Sequence, residues 1–530
     1  MKVEAQRQAG RGDASPAGTF VADHERLGRA AAEIVADYAR SLDTRQVCST
    51  ASPAELEKLF DEPLPREGGD ALEVFRRFER EIVTHAMHIP SPRYYGLFNP
   101  TPLPVAVWAD ALASALNQNG AAWRNSPAAS VVEARVLRWL CELVGYPPGS
   151  FGTMTSGGSE ANLVALKCAR DRAADAIRDE GMRRARRRND GSSESYDNAN
   201  GLRDNAGASY DDGRDASQSV GDFIVYASEQ CHYSFEKSVD ILGLGRRNLR
   251  KIETDESFHI RTDLLRDRIE RDLAAGNVPV CVAGAAGATS TGVIDPLDEL
   301  ADIAAEFSAW FHVDAAYGGA LAMSEKYRHR LRGLERADSV TIDPHKWMFV
   351  PFAAGVTLVR EGASVLRDAF DITPEYLSEE RGGEDVPLDF FRYGQLGTRR
   401  FNALKVWAAL KTLGTRGYAE IIERQIELTE RLAARVSELE HFETIGRVET
   451  AVCNFRIVPP GVRNVRELDD LQRALQQRVE RSGEAWISTT ILGGRRALRA
   501  NVNSFLTERR HVDDLVELLR RESHELLKGR

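Results

Sequence analysis

The stretch SVTIDPHKW, Ser339 to Trp347, joins an apolar, β-branched run to a proline and then to a histidine and a lysine. Val340, Thr341 and Ile342 fit a buried strand, and Pro344, which lacks the N–H that a sheet ladder needs, ends it. His345 and Lys346 are therefore expected just off a strand end, near the sheet but outside its ladder. A lysine in that setting is commonly no more than a solvated charge. A second stretch, FHVDAAYGG from Phe311 to Gly319, alters the weighing. It reads as a short buried strand, Trp310 to Val313, that ends in Asp314 and opens into Gly318-Gly319. Ligands of open α/β sheets bind beyond the carboxyl ends of the strands, which is where both polar residues fall.

A third stretch, GTMTSGGSEANLVALKCAR (Gly152 to Arg170), runs from a strand-like approach through Ser156-Gly157-Gly158-Ser159 into a helix opened by Glu160. Glycines ahead of a helix N-terminus leave backbone N–H groups free to face an anion, and the helix dipole favours negative charge there. The stretch is a candidate phosphate cradle, although an N-cap without a ligand fits the same residues. No GK[ST] follows, and the glycine order is not that of a dinucleotide fold. An amine and a carboxylate at neighbouring strand ends are also compatible with a plain ion pair. The functional alternative is a pyridoxal phosphate site, which needs a lysine for the aldehyde, an acid for the pyridine nitrogen, a phosphate cradle and a flat group over the ring.

The 530 residues can bury more than one core, and two or three domains are expected. Residues 1–20 show no apolar period and read as a disordered tail. Residues 21–125 form an N-terminal helical segment, with helices predicted over Asp23–Ser41, after Ser52-Pro53 and over Val105–Asn119. Between the last two, HIPSPRYYGLFNPTPLP (His88 to Pro104) reads as a proline-punctuated loop carrying Tyr94, Tyr95 and Phe98. Residues 126–400 form a large domain. It is broken at 179–220 by a tract of Arg, Asp, Asn, Gly and Ser, which buries too little apolar area to order and reads as a disordered insertion. Strands at Phe223–Tyr226 and Val278–Gly284, helices from an N-cap at Thr262 and over Pro296–Trp310, and a strand at Ala353–Val359 alternate as in a mostly parallel sheet covered by helices. Residues 401–530, a long helix from Phe401 and strands at Ala451–Val458 and Ala497–Asn503, form a smaller α+β domain.

Apolar residues make up 42% and charged residues 28%, as in an ordinary globular protein, and the net charge of −10 disfavours nucleic acid and acidic membrane surfaces as partners. The six cysteines are scattered with no zinc-type spacing, so no metal site is expected and a reducing, cytoplasmic setting fits. No apolar run has the length of a signal peptide core or a membrane span.

Taken in order, SGGSEA, the loop EQCHYSFEKS with His232, HVDAAY and DPHKW resemble the pyridoxal-dependent group II amino-acid decarboxylases, the family of aromatic-L-amino-acid, histidine and glutamate decarboxylases. The resemblance runs from about Leu27 to Leu526 apart from the insertion. It implies an α/β fold of the PLP-dependent transferase type, aspartate aminotransferase-like fold type I, with pyridoxal 5'-phosphate as cofactor. Carried over residue by residue, it implies that Lys346 forms the Schiff base and that Asp314 keeps the pyridine nitrogen protonated. His232 would stack on one ring face and Ala316 pack on the other. Gly158, Ser159 and Thr289 would contact the phosphate or nearby polar groups, and His345 would lie beside the lysine. Tyr376, in PEYL, matches the mobile-loop tyrosine to which the family assigns protonation of Cα; related aldehyde synthases carry Phe there.

For the substrate, the resemblance places Phe98 in the pocket lining, Gly397 where glycine leaves room for large rings, and Arg499 where the glutamate branch binds a carboxylate. Leu97 and Ile89 stand where aromatic-specific animal members have Tyr and Trp. DPHK replaces NPHK, and Asp343 beside a phosphate is unfavourable unless it points away. An L-amino-acid decarboxylase with aromatic substrates preferred is the leading expectation, ahead of a glutamate or aspartate decarboxylase. A carbon–carbon lyase of the sphingosine-phosphate lyase type and a non-catalytic relative follow. The family further implies a homodimer with shared active sites, around which the N-terminal segment wraps.

Overall fold

The computed structural model describes residues 16–174, 177–178, 221–372 and 388–528. In chain order its strands are β1 (Tyr94–Tyr95), β2 (Phe151–Thr155), β3 (Phe223–Ser228), β4 (Leu249–Ile252), β5 (Val278–Ala285), β6 (Trp310–Asp314), β7 (Ser339–Ile342) and β8 (Gly355–Val359), then β9 (Phe442–Ile445), β10 (Val452–Ile457), β11 (Trp486–Leu492) and β12 (Arg495–Asn501). Seven of them form one sheet in the order β2-β8-β7-β6-β5-β3-β4. From β4 to β7 every pairing is parallel, and only β8 runs against its neighbours β7 and β2. Helices Gly158–Ala173, Ser234–Ile241, Thr262–Ala274 and Leu297–Glu306 intervene between or flank these strands. Parallel strands covered on both faces have no solvent side, so β3 reads FIVYAS without polar alternation and all six residues are buried.

Register positions the functional residues. Ala285 on β5 lies opposite Asp314 on β6, and Asp314 lies opposite Thr341 on β7. The carboxyl ends of three adjacent strands are thus level, and the turns that leave them open into one region. The turn after β7 is closed by Lys346 N–H donating to the Asp343 carbonyl at 2.8 Å. Pro344 inside it stops the ladder as its chemistry requires.

The second sheet, β1-β11-β12-β10-β9, encloses its own core with helices Val465–Ser482 and Arg509–Lys528; Phe455, Leu475, Ile487, Leu498 and Leu515 are all buried within it. Helix Ala403–Ser437 joins the two cores. Ala403, Val406 and Ala409 pack into the first and Leu428, Leu432 and Val436 into the second, with a break at Gly414 (φ 61°, ψ 172°) between them.

Several sequence readings are corrected. The helix expected from Asp23 begins at Pro16, so 16–20 are helical and not part of a disordered tail; residues 1–15 and the 179–220 insertion lie outside the described residues. The 88–104 loop contains β1, which pairs in parallel with β11 some 390 residues downstream through Tyr94 opposite Trp486, and so belongs to the second sheet. Thr262 is the first helical residue and not the cap. Its hydroxyl donates to Glu299 at 2.9 Å. The helix expected to reach Trp310 stops at Glu306, because Trp310 already pairs with Cys281 as the first residue of β6. Strands β4, β9 and β11 and helices Ser234–Ile241, Ala363–Phe370 and Val465–Ser482 had no sequence counterpart.

Candidate active site

A cavity of about 360 Å³ opens at the carboxyl ends of β5, β6 and β7, within the size range of small-molecule sites. Lys346, Asp314, His232, Gly158, Ser159, Thr289, Ala316, His345 and Phe98 all line it. They come from six separate segments, most of them just past a strand end or ahead of a helix.

The amine of Lys346 lies 2.9 Å from Asp343 Oδ2, and its side chain is one-fifth exposed. Burial alone would pull its pKa down, but the charges of Asp343 and Asp314 and the Asp343 hydrogen bond outweigh burial and leave it raised. Lys346 is therefore an ammonium ion paired inside the site. His345 accepts the Ala354 N–H on Nδ1 at 3.0 Å, and its Nε2 lies 3.7 Å from Asp343 Oδ2. Burial lowers its pKa against the opposing pull of Asp343, so the ring is neutral at pH 7.

Asp314 accepts from the Ala316 N–H on Oδ1 at 3.2 Å and from the Asn162 amide on Oδ2 at 2.8 Å. Ahead of helix Gly158–Ala173 no side chain caps the N-terminus, and Ser156 N–H is drawn instead to Glu160 Oε2 at 2.7 Å. A Cβ on Gly158 would stand 2.8 Å from Asp343 Oδ2 and 3.2 Å from the Ala316 methyl, so only glycine leaves this corner open. Phe98 stacks on Tyr317 with centroids 3.7 Å apart, and Tyr317 stacks on the buried Trp347 at 4.6 Å, giving the cavity an aromatic edge. The Lys346 ammonium lies 5.9 Å from the Phe98 centroid.

Three sequence-predicted residues are not brought here. Gly397 lines a different cavity, with Asn119, Lys167 and Phe391. Arg499 is 2% exposed and lies behind Phe98, its guanidinium 4.8 Å from that ring, with Nη1 donating to the Gly96 carbonyl at 2.7 Å. Burial pulls its pKa down to about 10, and its Nε and Nη2 have no partner among the described residues. Tyr376 lies outside the described residues. Conversely, Asn162 and Asp343 were missed as site residues. Asp343 points in and not away: it is 2% exposed, Oδ2 is held by Lys346, and Oδ1 has no partner among the described residues.

These groups meet the demands of pyridoxal 5'-phosphate: an amine, an acid at the neighbouring strand end, an uncapped helix N-terminus with a glycine corner, and Ala316 and His232 to face a ring. Comparison with known proteins agrees. The family model described as pyridoxal-dependent decarboxylase conserved domain matches residues 53–190 and 209–458. An aromatic-L-amino-acid decarboxylase of Bacillus atrophaeus is 30% identical over 88% of both chains, and a tryptophan decarboxylase of Camptotheca acuminata is 31% identical over 93% of both. Among solved structures, mouse CSAD superposes with a TM-score of 0.84 at 26% identity, covering 96% of this chain and 99% of that one. Rice TDC, solved with PLP and tryptamine, gives 0.82 at 28% identity over 95% and 98%. With motif order, sheet topology and cavity chemistry in agreement, the chain belongs to the group II pyridoxal-dependent decarboxylases, carboxy-lyases whose cofactor is pyridoxal 5'-phosphate.

Proposed function

We propose that the enzyme converts an L-amino acid, aromatic by preference, to its amine and carbon dioxide, with Lys346 as the residue bonded to the cofactor aldehyde. The observation that carries this reading is the placement of Lys346 and Asp314 at the ends of paired strands around a single cavity. Bound there, the cofactor supplies an electron sink for the bond to the departing carboxylate. Asp314 would hold the proton on the pyridine nitrogen that deepens this sink, and the Ala316 and Asn162 N–H groups fix its orientation for that task. The turn at Gly158 and Ser159, which has no side-chain cap among the described residues, would hold the phosphate through backbone N–H groups. Lys346 would hold the cofactor and, once freed by the substrate amine, would stand beside the substrate as an acid or base. Tyr376 would supply the proton to Cα.

The aromatic edge of Phe98 and Tyr317, backed by the buried Trp347, supports the substrate preference, as do relatives named for aromatic substrates. A second reading, an acidic substrate, is favoured by Arg499, a desolvated guanidinium with two nitrogens that have no partner among the described residues. Carbon dioxide release from a panel of tryptophan, tyrosine, phenylalanine, histidine, glutamate and aspartate separates the two. The aromatic reading expects kcat/KM for an aromatic substrate to exceed that for glutamate by about 100-fold or more. Turnover confined to the acidic substrates would refute it and favour the second.

Homodimerisation is proposed on a groove of Ile34, Val35, Phe60, Val74, Phe78 and Ile82 in the N-terminal helices. In this groove Phe60, Val74 and Ile82 are each more than two-fifths exposed. Sedimentation of a fully active monomer would refute this. A cytoplasmic setting is proposed on the six free thiols; among the described residues no helix is long and apolar enough to cross a membrane.

A further inference from the structure

Asp314 anchors a set of hydrogen bonds whose polarity can be worked out atom by atom. Its Oδ2 lies 2.8 Å from the Asn162 side chain, and a carboxylate only accepts, so the amide nitrogen faces it and the amide oxygen faces away. That oxygen receives the Thr341 hydroxyl at 2.8 Å and faces His312 Nε2 at 3.1 Å. An amide oxygen likewise only accepts, so His312 carries its hydrogen on Nε2. Burial pulls the His312 pKa down to about 4, which leaves the ring neutral and Nδ1 bare. The Ser339 hydroxyl, 2.9 Å from Nδ1, donates to it while receiving the Trp310 indole N–H at 2.7 Å. Every polar atom on this side is satisfied in one arrangement.

On the other side, the second N–H of Asn162 reaches Ser234 Oγ at 3.0 Å. Ser234 accepts there, so its own hydrogen is free for His232 Nδ1, 2.8 Å away. The Ser234 backbone N–H approaches the same nitrogen at 3.3 Å. Two donors converge on Nδ1, which is therefore bare. Burial lowers the His232 pKa, the Lys346 charge acts in the same direction, and Asp314 and Asp343 oppose them without reversing the shift. The ring is neutral at pH 7, and its hydrogen sits on Nε2. Asn162, Ser234, His312, Ser339 and Thr341 are each no more than 1% exposed, so water does not compete for these bonds.

We propose that Asn162 is a positioning residue that relays the orientation set by Asp314 to His232, holding His232 as its Nε2–H tautomer so that it meets substrate as a hydrogen-bond donor to a carboxylate oxygen and not as a base. The carboxylate fixes which way the amide faces, the amide leaves Ser234 only one role, and Ser234 fixes the tautomer. Asp314 and His232 are thus coupled although neither touches the other through a direct hydrogen bond among those described. The inference rests on the assignment of both residues to the cofactor site. Failure of that assignment would show separately, as protein that takes up no cofactor.

Holoenzyme labelled with [15N]histidine tests it by long-range 1H–15N spectra, with His232→Gln to assign the signal. The expected result is a bare Nδ1 and a protonated Nε2 for His232 at neutral pH. Asn162→Ala is expected to give a mixture of tautomers and to lower kcat/KM about tenfold, the scale of losing a group that orients a functional histidine. Should that variant not fold, Ser234→Ala is expected to shift the same signal, and Ser234→Thr, which keeps the hydroxyl, to restore both signal and rate. An Nδ1–H or doubly protonated ring in the unaltered enzyme overturns the proposal. So does a His232 signal that stays the same when Asn162 or Ser234 is replaced by alanine.

Discussion

Lys346→Ala is expected to lower kcat by roughly 10⁴-fold or more, the scale on which enzymes lose turnover when a covalent catalyst is removed. Among the described residues Lys346 is the only lysine lining the cavity, so none of them offers a second amine to replace it. Lys405, which is fully buried, pairs with Asp110 and lines no part of this cavity. Alanine also leaves Asp343 buried without its cation, a loss that costs about 3–5 kcal/mol when one partner of a buried pair is deleted. Lys346→Arg controls for this. It keeps a positive charge against Asp343 but cannot bond to the aldehyde, and it is expected to be folded and equally inactive. Steady-state rates and the thermal unfolding midpoint of both variants check the two effects. An arginine variant with substantial activity would contradict the role given to the lysine.

Asp314→Asn is expected to lower kcat by about 10³-fold with a smaller change in KM, since the lost interaction matters most as charge develops in the transition state. The change is nearly isosteric, and Asn still offers an oxygen to the Ala316 N–H or the Asn162 amide. What it loses is the negative charge that favours a protonated pyridine nitrogen. Steady-state kinetics and the absorption spectrum of the bound cofactor read this out. Unchanged turnover would place the acid elsewhere.

Much of this site was legible because its parts are local. DPHKW, HVDAAY and SGGSEA each carry a strand end and its polar residue within a few positions, so proline, glycine and strand periodicity located Lys346, Asp314 and Gly158. What was not legible depends on long-range packing. Asn162 reaches Asp314 across 152 positions, and its amide is unremarkable within a helix sequence. Phe98 and Arg499 were both expected at the substrate, but β1 pairs with β11, β11 with β12, and this stacks the arginine behind the ring. The side toward which Asp343 points, after a strand and before a proline, is set by its pairing with Lys346 three residues on. No pattern in the sequence carries that direction.

The central claim is that one cofactor ring is held between Lys346 and Asp314. It is tested most directly by reducing the holoenzyme with borohydride, digesting it and finding the modified residue by mass spectrometry. The expected product is a single pyridoxyl group on Lys346, in the peptide containing DPHKW. Modification of any other lysine, or no modification of protein that has been supplied with pyridoxal 5'-phosphate, would contradict the account.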